Sequence, residues 1–248
     1  MDTVKESEKK IIEAERLSVG YAHKAVVSEM DFSIMSGEIV ALIGENGSGK
    51  STLLKTLIKD IPPVSGKVFI EGRETGKLSA NDIAKAMAIV MTRSVKPDYF
   101  TCYDMVASGR YPYTDRLGRL KSEDKKAVEE AMRLTGTESL SEKYVTDISD
   151  GQRQLIMLAR AIAQDPQILI LDEPTSFLDI RHKLLFSKAV KALVSDRHLA
   201  VLMSIHELDL VREMSDRIIA LKDGRIDSQG STEEILTDGY IKELFRLE

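Results

Sequence analysis

The chain has 248 residues, of which 43% are hydrophobic and 30% are charged, and its net charge is −5. This composition is ordinary for a folded protein and excludes a mostly disordered one, and the length allows one large α/β domain or a core domain with an insertion. The negative net charge argues against a nucleic-acid binder, because backbone phosphates favour a basic protein surface.

The single cysteine and the N-terminal stretch bear on the cellular compartment. Cys102 cannot form an intrachain disulfide, so a reducing compartment fits, and we expect its thiol to be inert. The N-terminal stretch is charged and lacks the apolar core of a signal peptide, and no segment approaches the roughly 18 apolar residues of a membrane span. The sequence therefore predicts a protein that neither spans a membrane nor is secreted by that route, although it could dock on a membrane protein.

The first third of the chain reads as strands with one helix. Strands are predicted at 15–19 and 31–34, with Tyr21 in the loop after the first, and a buried parallel strand at 39–43 precedes a helix at 52–58. A Pro-Pro-Val-Ser-Gly break at 62–66 leads into a strand at 67–72, and a further strand is predicted at 84–92. Together these strands predict an antiparallel β subdomain beside a parallel core.

From 99 to 149 helical periodicity replaces the strand signals, with an amphipathic helix at 122–134. Strand signals return at 168–171 and 199–203 with helices between them, and a hairpin is predicted at 217–221 and 225–226 around Asp223-Gly224. This order predicts a helical subdomain inserted between two strand-rich halves.

Residues 44–51 read Gly-Glu-Asn-Gly-Ser-Gly-Lys-Ser and fit the phosphate-loop motif G-x-x-x-x-G-K-[ST], in the required setting between a strand and a helix. Glycines let the backbone N–H groups turn toward phosphate oxygens, and the following helix adds its positive dipole end. Lys50 would carry charge to the β- and γ-phosphates, and the Ser51 hydroxyl would ligate Mg²⁺. A plain glycine-rich turn is the alternative. The predicted nucleotide-binding residues here are Gly44, Asn46, Gly47, Ser48, Gly49, Lys50, Ser51 and Thr52.

Two carboxylates follow the strand at 168–171, at the end of the strand where α/β sheets bind ligands. Asp172 suits coordination of Mg²⁺, and Glu173 would orient or deprotonate the attacking water. A solvated acidic turn is the alternative.

A capping box, with Ser149 as N-cap and Gln152 three residues later, precedes the apolar helix at 155–163. Capping alone would explain both residues. The N–H groups of the same helix N-terminus could also bind a γ-phosphate, and capping and phosphate binding are compatible.

In their order, these motifs resemble those of the ATP-binding cassette ATPases of membrane transporters. GENGSGKS is similar to the Walker A motif, ILILDEPTS to Walker B, ISDGQ to the LSGGQ signature, and SFLD at 176–179 to the D-loop. The resemblance implies a P-loop NTPase core with a mainly parallel sheet, an antiparallel β subdomain and an inserted α-helical subdomain. It implies a single domain over 1–248, in which 1–91 and 155–248 form the core and about 92–154 the helical subdomain.

The same resemblance implies roles for individual residues. ATP would lie between Lys50 of one protomer and Ser149, Gly151 and Gln152 of the other in a homodimer, with Tyr21 stacked on adenine. His206 would be the switch histidine that contacts the γ-phosphate and links it to Glu173, so Glu173, His206 and Lys50 form the catalytic set. His182 has no matching register, and we interpret it as a surface residue.

Two positions depart from the family pattern. Thr92 stands where the Q-loop glutamine is expected, and its shorter hydroxyl could still hold a Mg²⁺-bound water. Asp150 stands where a glycine is usual, and its carboxylate would repel a γ-phosphate unless it points outward or pairs with a cation. We expect Asp150 to point away.

Residues 101–113 are similar to the V-x-x-G-R-x-P-Y/H stretch of importers for ferric siderophores, haem and cobalamin. This resemblance implies an ATP- and Mg²⁺-dependent importer subunit on the cytoplasmic face of the membrane. Its partners would be permease subunits and, through them, a substrate-binding protein, with no nucleic acid. The alternatives are the ATPase of an exporter or of a lipid or lipoprotein extraction system, and a non-transport ATPase.

Overall fold

Ten strands form the framework of this computed structural model, which describes residues 9–92, 97–115, 117–176 and 178–247. In chain order the strands are β1 (Lys10–Tyr21), β2 (Lys24–Met35), β3 (Ile39–Gly44), β4 (Ser65–Ile70), β5 (Arg73–Glu74), β6 (Met87–Val90), β7 (Ile168–Asp172), β8 (Ala200–Ser204), β9 (Arg217–Lys222) and β10 (Arg225–Ser231). An antiparallel sheet has the order β2-β1-β4-β5, and a six-stranded sheet has the order β10-β9-β3-β8-β7-β6. Within the second sheet all neighbours are parallel except β9 and β10.

The described residues also form nine α-helices. They are α1 (Lys50–Leu57), α2 (Ala80–Ala86), α3 (Cys102–Ala107), α4 (Ser122–Thr135), α5 (Asp150–Ala163), α6 (Ile180–Arg197), α7 (Leu208–Met214), α8 (Thr232–Ile235) and α9 (Asp238–Leu244). None of the helices in the described ranges combines the length and apolarity that crossing a membrane requires.

The central strand β3 is buried along its whole length, because both faces of the parallel sheet are covered. Ile39, Ala41 and Ile43 face the apolar cluster under the helices, whereas Val40 and Leu42 face the cluster under the antiparallel sheet. Because β3, β7 and β8 run parallel, their carboxyl ends meet at one edge of the sheet. This edge brings together the residues that follow the three strands.

Helices α3, α4 and α5 pack on one another to form the helical part of the molecule. A 3₁₀ segment at Ser108–Tyr113 packs closely on α5. A Cβ at Gly109 would lie 2.2 Å from the carbonyl oxygen of Arg160, so only glycine allows this approach. Arg110 donates from Nε to Oδ1 of Asp124 at 2.9 Å and from Nη1 to the carbonyl of Ala163 at 2.8 Å. Gly109 and Arg110 are therefore explained by close packing and by hydrogen bonds within the helical part.

The predicted fold class is confirmed, with the antiparallel sheet, the mainly parallel sheet and the helical part all present. The strand predicted at 84–92 is wrong at its start, because a capping box between Ser79 and Asp82 begins α2, which ends at Ala86. Tyr21 is the last residue of β1 rather than a loop residue, since it pairs with Lys24. The expected division near residue 154 falls inside α5, and the domain boundaries remain a prediction.

Candidate functional site

The loop between β3 and α1 has the conformation that convergent N–H groups require. Gly47 and Gly49 have φ of 80° and 100°, which is the left-handed region that favours glycine. No atom lies within 4 Å of where a Cβ of Gly47 would be, so the loop is open on that side. Gly49 is the N-cap of α1 and supplies no side-chain cap, which leaves N–H groups of the first helical turn for an external acceptor.

Lys50 is buried inside this loop. Its Nζ donates to the carbonyl oxygens of Gly44 at 2.7 Å and Glu45 at 3.0 Å. Burial lowers the pKa of Lys50, and the nearby charges of Glu173 and Asp172 act in the opposite direction. A phosphate would offer this ammonium a charged acceptor, which gives a stronger bond than the carbonyls do.

Two further observations test whether a nucleotide phosphate fits the loop. The Ser48 Oγ is buried without a hydrogen-bond partner among the described residues, and a phosphate or a water bound with it would supply one. A Cβ at Gly49 would lie 2.2 Å from Cγ2 of Val27, so β2 approaches the loop closely and holds it against the antiparallel sheet. The loop is thus shaped and supported as an anion cradle.

Oxygen atoms suited to Mg²⁺ lie beside the cradle. Ser51 Oγ donates to Oδ1 of Asp172 at 3.2 Å, and Ser204 Oγ donates to the same oxygen at 2.7 Å. Thr92 Oγ1 donates to the carbonyl oxygen of Asp172 at 2.8 Å. Hydroxyl and carboxylate oxygens are ligands that Mg²⁺ accepts together with water and phosphate oxygens.

Glu173 and His206 form a hydrogen-bonded pair next to Asp172, with His206 Nε2 2.7 Å from Glu173 Oε1. The Glu173 backbone has φ of 48°. The Glu173 N–H donates to two oxygens of Ser204, the carbonyl at 3.2 Å and Oγ at 3.0 Å. About a third of each side chain is exposed, 34% for His206 and 31% for Glu173. The carboxylate is therefore held in one orientation and is partly exposed to water, from which it can accept a proton.

The signature residues lie at the start of α5. The predicted capping box is present: Ser149 Oγ accepts from the Gln152 N–H at 3.2 Å, and Gln152 Oε1 accepts from the Ser149 N–H at 3.1 Å. Asp150 is exposed and pairs with the buried guanidinium of Arg153, so its charge has a neighbouring cation, and its orientation relative to a γ-phosphate stays a prediction. Arg153 also donates to the carbonyl of Ile148 at 2.8 Å, so the cation compensating Asp150 is fixed to the helix start.

His182 differs from the surface residue that was predicted. Its side chain is only 20% exposed, and its Nδ1 lies 2.7 Å from Oδ1 of Asp179. The imidazole also packs on Gly151. The sequence offered no sign of this contact, because the two residues are distant along the chain.

The P-loop and the signature lie on different layers of the molecule. Helix α1 packs on β1, β3 and β7, whereas α5 packs on α3, α4, α6 and β6. The structure therefore brings Lys50, Ser51, Thr92, Asp172, Glu173 and His206 together at the sheet edge and holds Ser149, Gly151 and Gln152 on the helical side. Tyr21 is 51% exposed at the end of β1, and its stacking on adenine stays a prediction.

Ser204 is a site residue that the sequence analysis missed. Its hydroxyl contacts the carboxylate of Asp172 and the N–H of Glu173 at once. The available signal was a polar residue closing a buried parallel strand next to the one that carries Asp172.

A family model described as ABC transporter matches residues 27–176. This chain belongs to the ABC transporter ATPases. ABC ATPases bind ATP and couple its hydrolysis to transport, and the sequence-based recognition of the family is confirmed.

Individual relatives of this ABC ATPase cover nearly all of it. An uncharacterized ABC transporter ATP-binding protein of Methanocaldococcus jannaschii is 41% identical over 96% of this chain and 82% of its own length. The iron(3+)-hydroxamate import ATP-binding protein of Bacillus subtilis is 35% identical over 96% of this chain and 88% of its own length. A solved structure described as an inward-facing metal-chelate type ABC transporter has a TM-score of 0.84 at 27% identity, covering 96% of this chain and 89% of that chain.

Proposed function

We propose that this ABC ATPase is the ATP-hydrolysing subunit of an importer for an iron chelate or a related compound such as haem or cobalamin. The chain would act as a homodimer on the cytoplasmic face of the membrane. The observation that carries hydrolysis is the Glu173–His206 pair beside the buried Lys50. Similarity over nearly the whole chain to an iron(3+)-hydroxamate import subunit supports uptake over export.

In the proposed reaction the residues at the sheet edge have different parts. Lys50 and the N–H groups at the start of α1 bind the phosphates and hold them in one orientation. Ser51 and Asp172 would hold Mg²⁺, which would neutralise part of the phosphate charge. Glu173 takes the proton of the attacking water, and His206 keeps the carboxylate aimed at that water. Catalysis therefore depends on positioning and electrostatics.

The membrane partner would contact the segment at 97–115. Tyr99 and Tyr111 on this segment are 90% and 60% exposed, and exposed tyrosines are enriched at protein interfaces. The hydrogen bonds of Arg110 fix the 3₁₀ segment that carries Tyr111. We propose that permease subunits bind here and, through them, a substrate-binding protein.

The Glu173→Gln variant tests the function in two settings. The purified variant should retain ATP binding and lose about 10²–10⁴-fold in turnover, the range for a general base. In a cell lacking the native gene, the parent chain should restore uptake of a ferric hydroxamate, haem or cobalamin, and Glu173→Gln should not. Glu213→Gln is the matched control, because Glu213 pairs only with Lys191 on the surface among its described contacts.

Two results would contradict the proposal separately. Near-normal turnover by Glu173→Gln would remove Glu173 from its role as the base. Unchanged uptake of all three compounds after loss of the native gene would reject the substrate class and leave the ATPase assignment intact.

A further inference from the structure

The first turn of α6 contains a histidine held in one orientation. Asp179, the N-cap of α6, accepts the backbone N–H of His182 at 2.8 Å and lies 2.7 Å from the ring Nδ1. The two hydrogen bonds, first from the backbone N–H and then from the ring, lower the pKa of Asp179. Since an ionised carboxylate can only accept, Nδ1 carries the proton of this bond.

The oriented ring lies against the signature. A Cβ at Gly151 would be 3.0 Å from both Cγ and Nδ1 of His182 and 3.3 Å from Cε1. Ordinary van der Waals contacts are longer, so the ring occupies the space that a side chain at position 151 would need. The distance between α5 and α6 at their N-termini is thereby set by an imidazole resting on a glycine.

Lys183, the next residue of the same turn, contacts the segment that follows β8. Lys183 forms an ion pair with Glu207, and Thr175 Oγ1 donates to Oε1 of Glu207 at 3.2 Å. Glu207 directly follows His206, the partner of Glu173. Two consecutive residues of one helical turn therefore contact the signature and the segment that carries the switch histidine.

We infer that His182 is a positioning residue for the signature and that, with Lys183, it connects the signature to the switch segment of the same protomer. The inference rests on the proposed function, in which the signature of one copy binds the ATP held by the P-loop of the other. The first turn of α6 then lies between the residues that contact one ATP and the residues that contact the second. Coupling between the two sites passes through this turn.

Three variants and one control test the role of His182 and Lys183 in the full chain. His182→Ala removes both the ring and its hydrogen bond, whereas His182→Asn keeps an N–H group near the place of Nδ1. Lys183→Met keeps the aliphatic stem and removes the charge. His198→Asn is the control: His198 ends the same helix, a Cβ at Gly37 would lie 3.5 Å from its Nδ1, and asparagine tolerates its φ of 51°.

The measurements are binding of a fluorescent ATP analogue to the monomer and the ATP dependence of hydrolysis by the dimer. Monomer affinity should be unchanged in all four variants, because none of the changed residues touches the P-loop. His182→Ala should raise the ATP concentration for half-maximal hydrolysis about fivefold and bring the Hill coefficient from above unity to about 1. Lys183→Met should change both values in the same direction. His182→Asn, which keeps the hydrogen bond but lacks the ring, should fall between the parent and His182→Ala, and His198→Asn should stay close to the parent.

The outcomes separate this inference from the function on which it rests. A parent that hydrolyses ATP cooperatively, with a His182→Ala variant equal to it, would overturn the role of His182 alone. If His198→Asn changed the ATP dependence of hydrolysis as much as His182→Ala, the effect would belong to the whole helix, and the role of His182 would be overturned too. Parental behaviour of Lys183→Met would overturn the connection to the switch segment. A parent that hydrolyses no ATP would overturn the proposed function together with the inference.

Discussion

At the scale of single residues, Thr92 differs most from what the family pattern implies. Its hydroxyl donates to the main chain of Asp172, so it connects the end of β6 to the end of β7. The lone pairs of the same oxygen are available to a water molecule bound to Mg²⁺. The Thr92 hydroxyl can thus donate to the Asp172 carbonyl and accept from a Mg²⁺-bound water at the same time. The glutamine of the family pattern would reach further with its longer side chain.

Replacing Thr92 by valine keeps the shape of the side chain and removes the hydroxyl. We expect Thr92→Val to lower the free energy of unfolding by about 1 kcal/mol, the net value of one hydrogen bond. The Mg²⁺ concentration for half-maximal ATP hydrolysis should rise as well, whereas Thr92→Ser should match the parent. An unchanged Mg²⁺ titration in Thr92→Val would reduce Thr92 to the structural task.

At the scale of elements, the helical part depends on the ion pair between Arg110 and Asp124. Both side chains are nearly buried, at 11% and 4% exposed. Although burial raises the pKa of Asp124, the hydrogen bonds from the Lys121 N–H and from Arg110 outweigh it and hold the pKa below its usual value. The Arg110 guanidinium also stacks over the Tyr113 ring at 4.0 Å, so one side chain joins three helical segments.

Arg110→Ala should lower the free energy of unfolding by about 3 kcal/mol at neutral pH, because it leaves a buried carboxylate without its partner. A carboxyl with a lowered pKa contributes stability above its unfolded value, and this contribution is lost as the pH falls through the folded pKa. The difference between variant and parent should therefore shrink in acid. Urea unfolding at neutral and acid pH measures this difference. Arg133→Ala, in an exposed pair with Glu130, is the control and should lower the free energy of unfolding far less. Equal losses in the two variants would contradict the prediction.

Elements with an unambiguous pattern were predictable from the sequence, and contacts between distant segments were not. The strands β3, β7 and β8 are continuous apolar runs, and the P-loop and the capping box of Ser149 are local arrangements of neighbouring residues. The start of α2 was missed because an apolar run can belong to a helix or a strand, and the cap at Ser79 decides between them. Ser204 and His182 were missed because their partners are brought to them only by the fold.

At the scale of the whole molecule, the two groups of predicted nucleotide-binding residues lie on different layers of the chain. The P-loop opens from the layer of α1, and the signature lies at the start of α5, which packs on the other helices. A second copy in head-to-tail arrangement would bring the signature of each to the P-loop of the other. Ile180, 81% exposed beside the D-loop, offers apolar surface for such a contact.

The nature of the N-cap at Ser149 allows this arrangement to be tested without unfolding α5. Aspartate and threonine are both good N-caps, so Ser149→Asp and Ser149→Thr should each keep the helix. In the Glu173→Gln background, ATP should convert the parent and Ser149→Thr from monomer to dimer, and ADP should not. Ser149→Asp should stay monomeric with ATP, since its carboxylate would face a γ-phosphate across the interface. Sedimentation velocity distinguishes the two states, and a Ser149→Asp dimer as tight as that of Ser149→Thr would place the signature outside the interface.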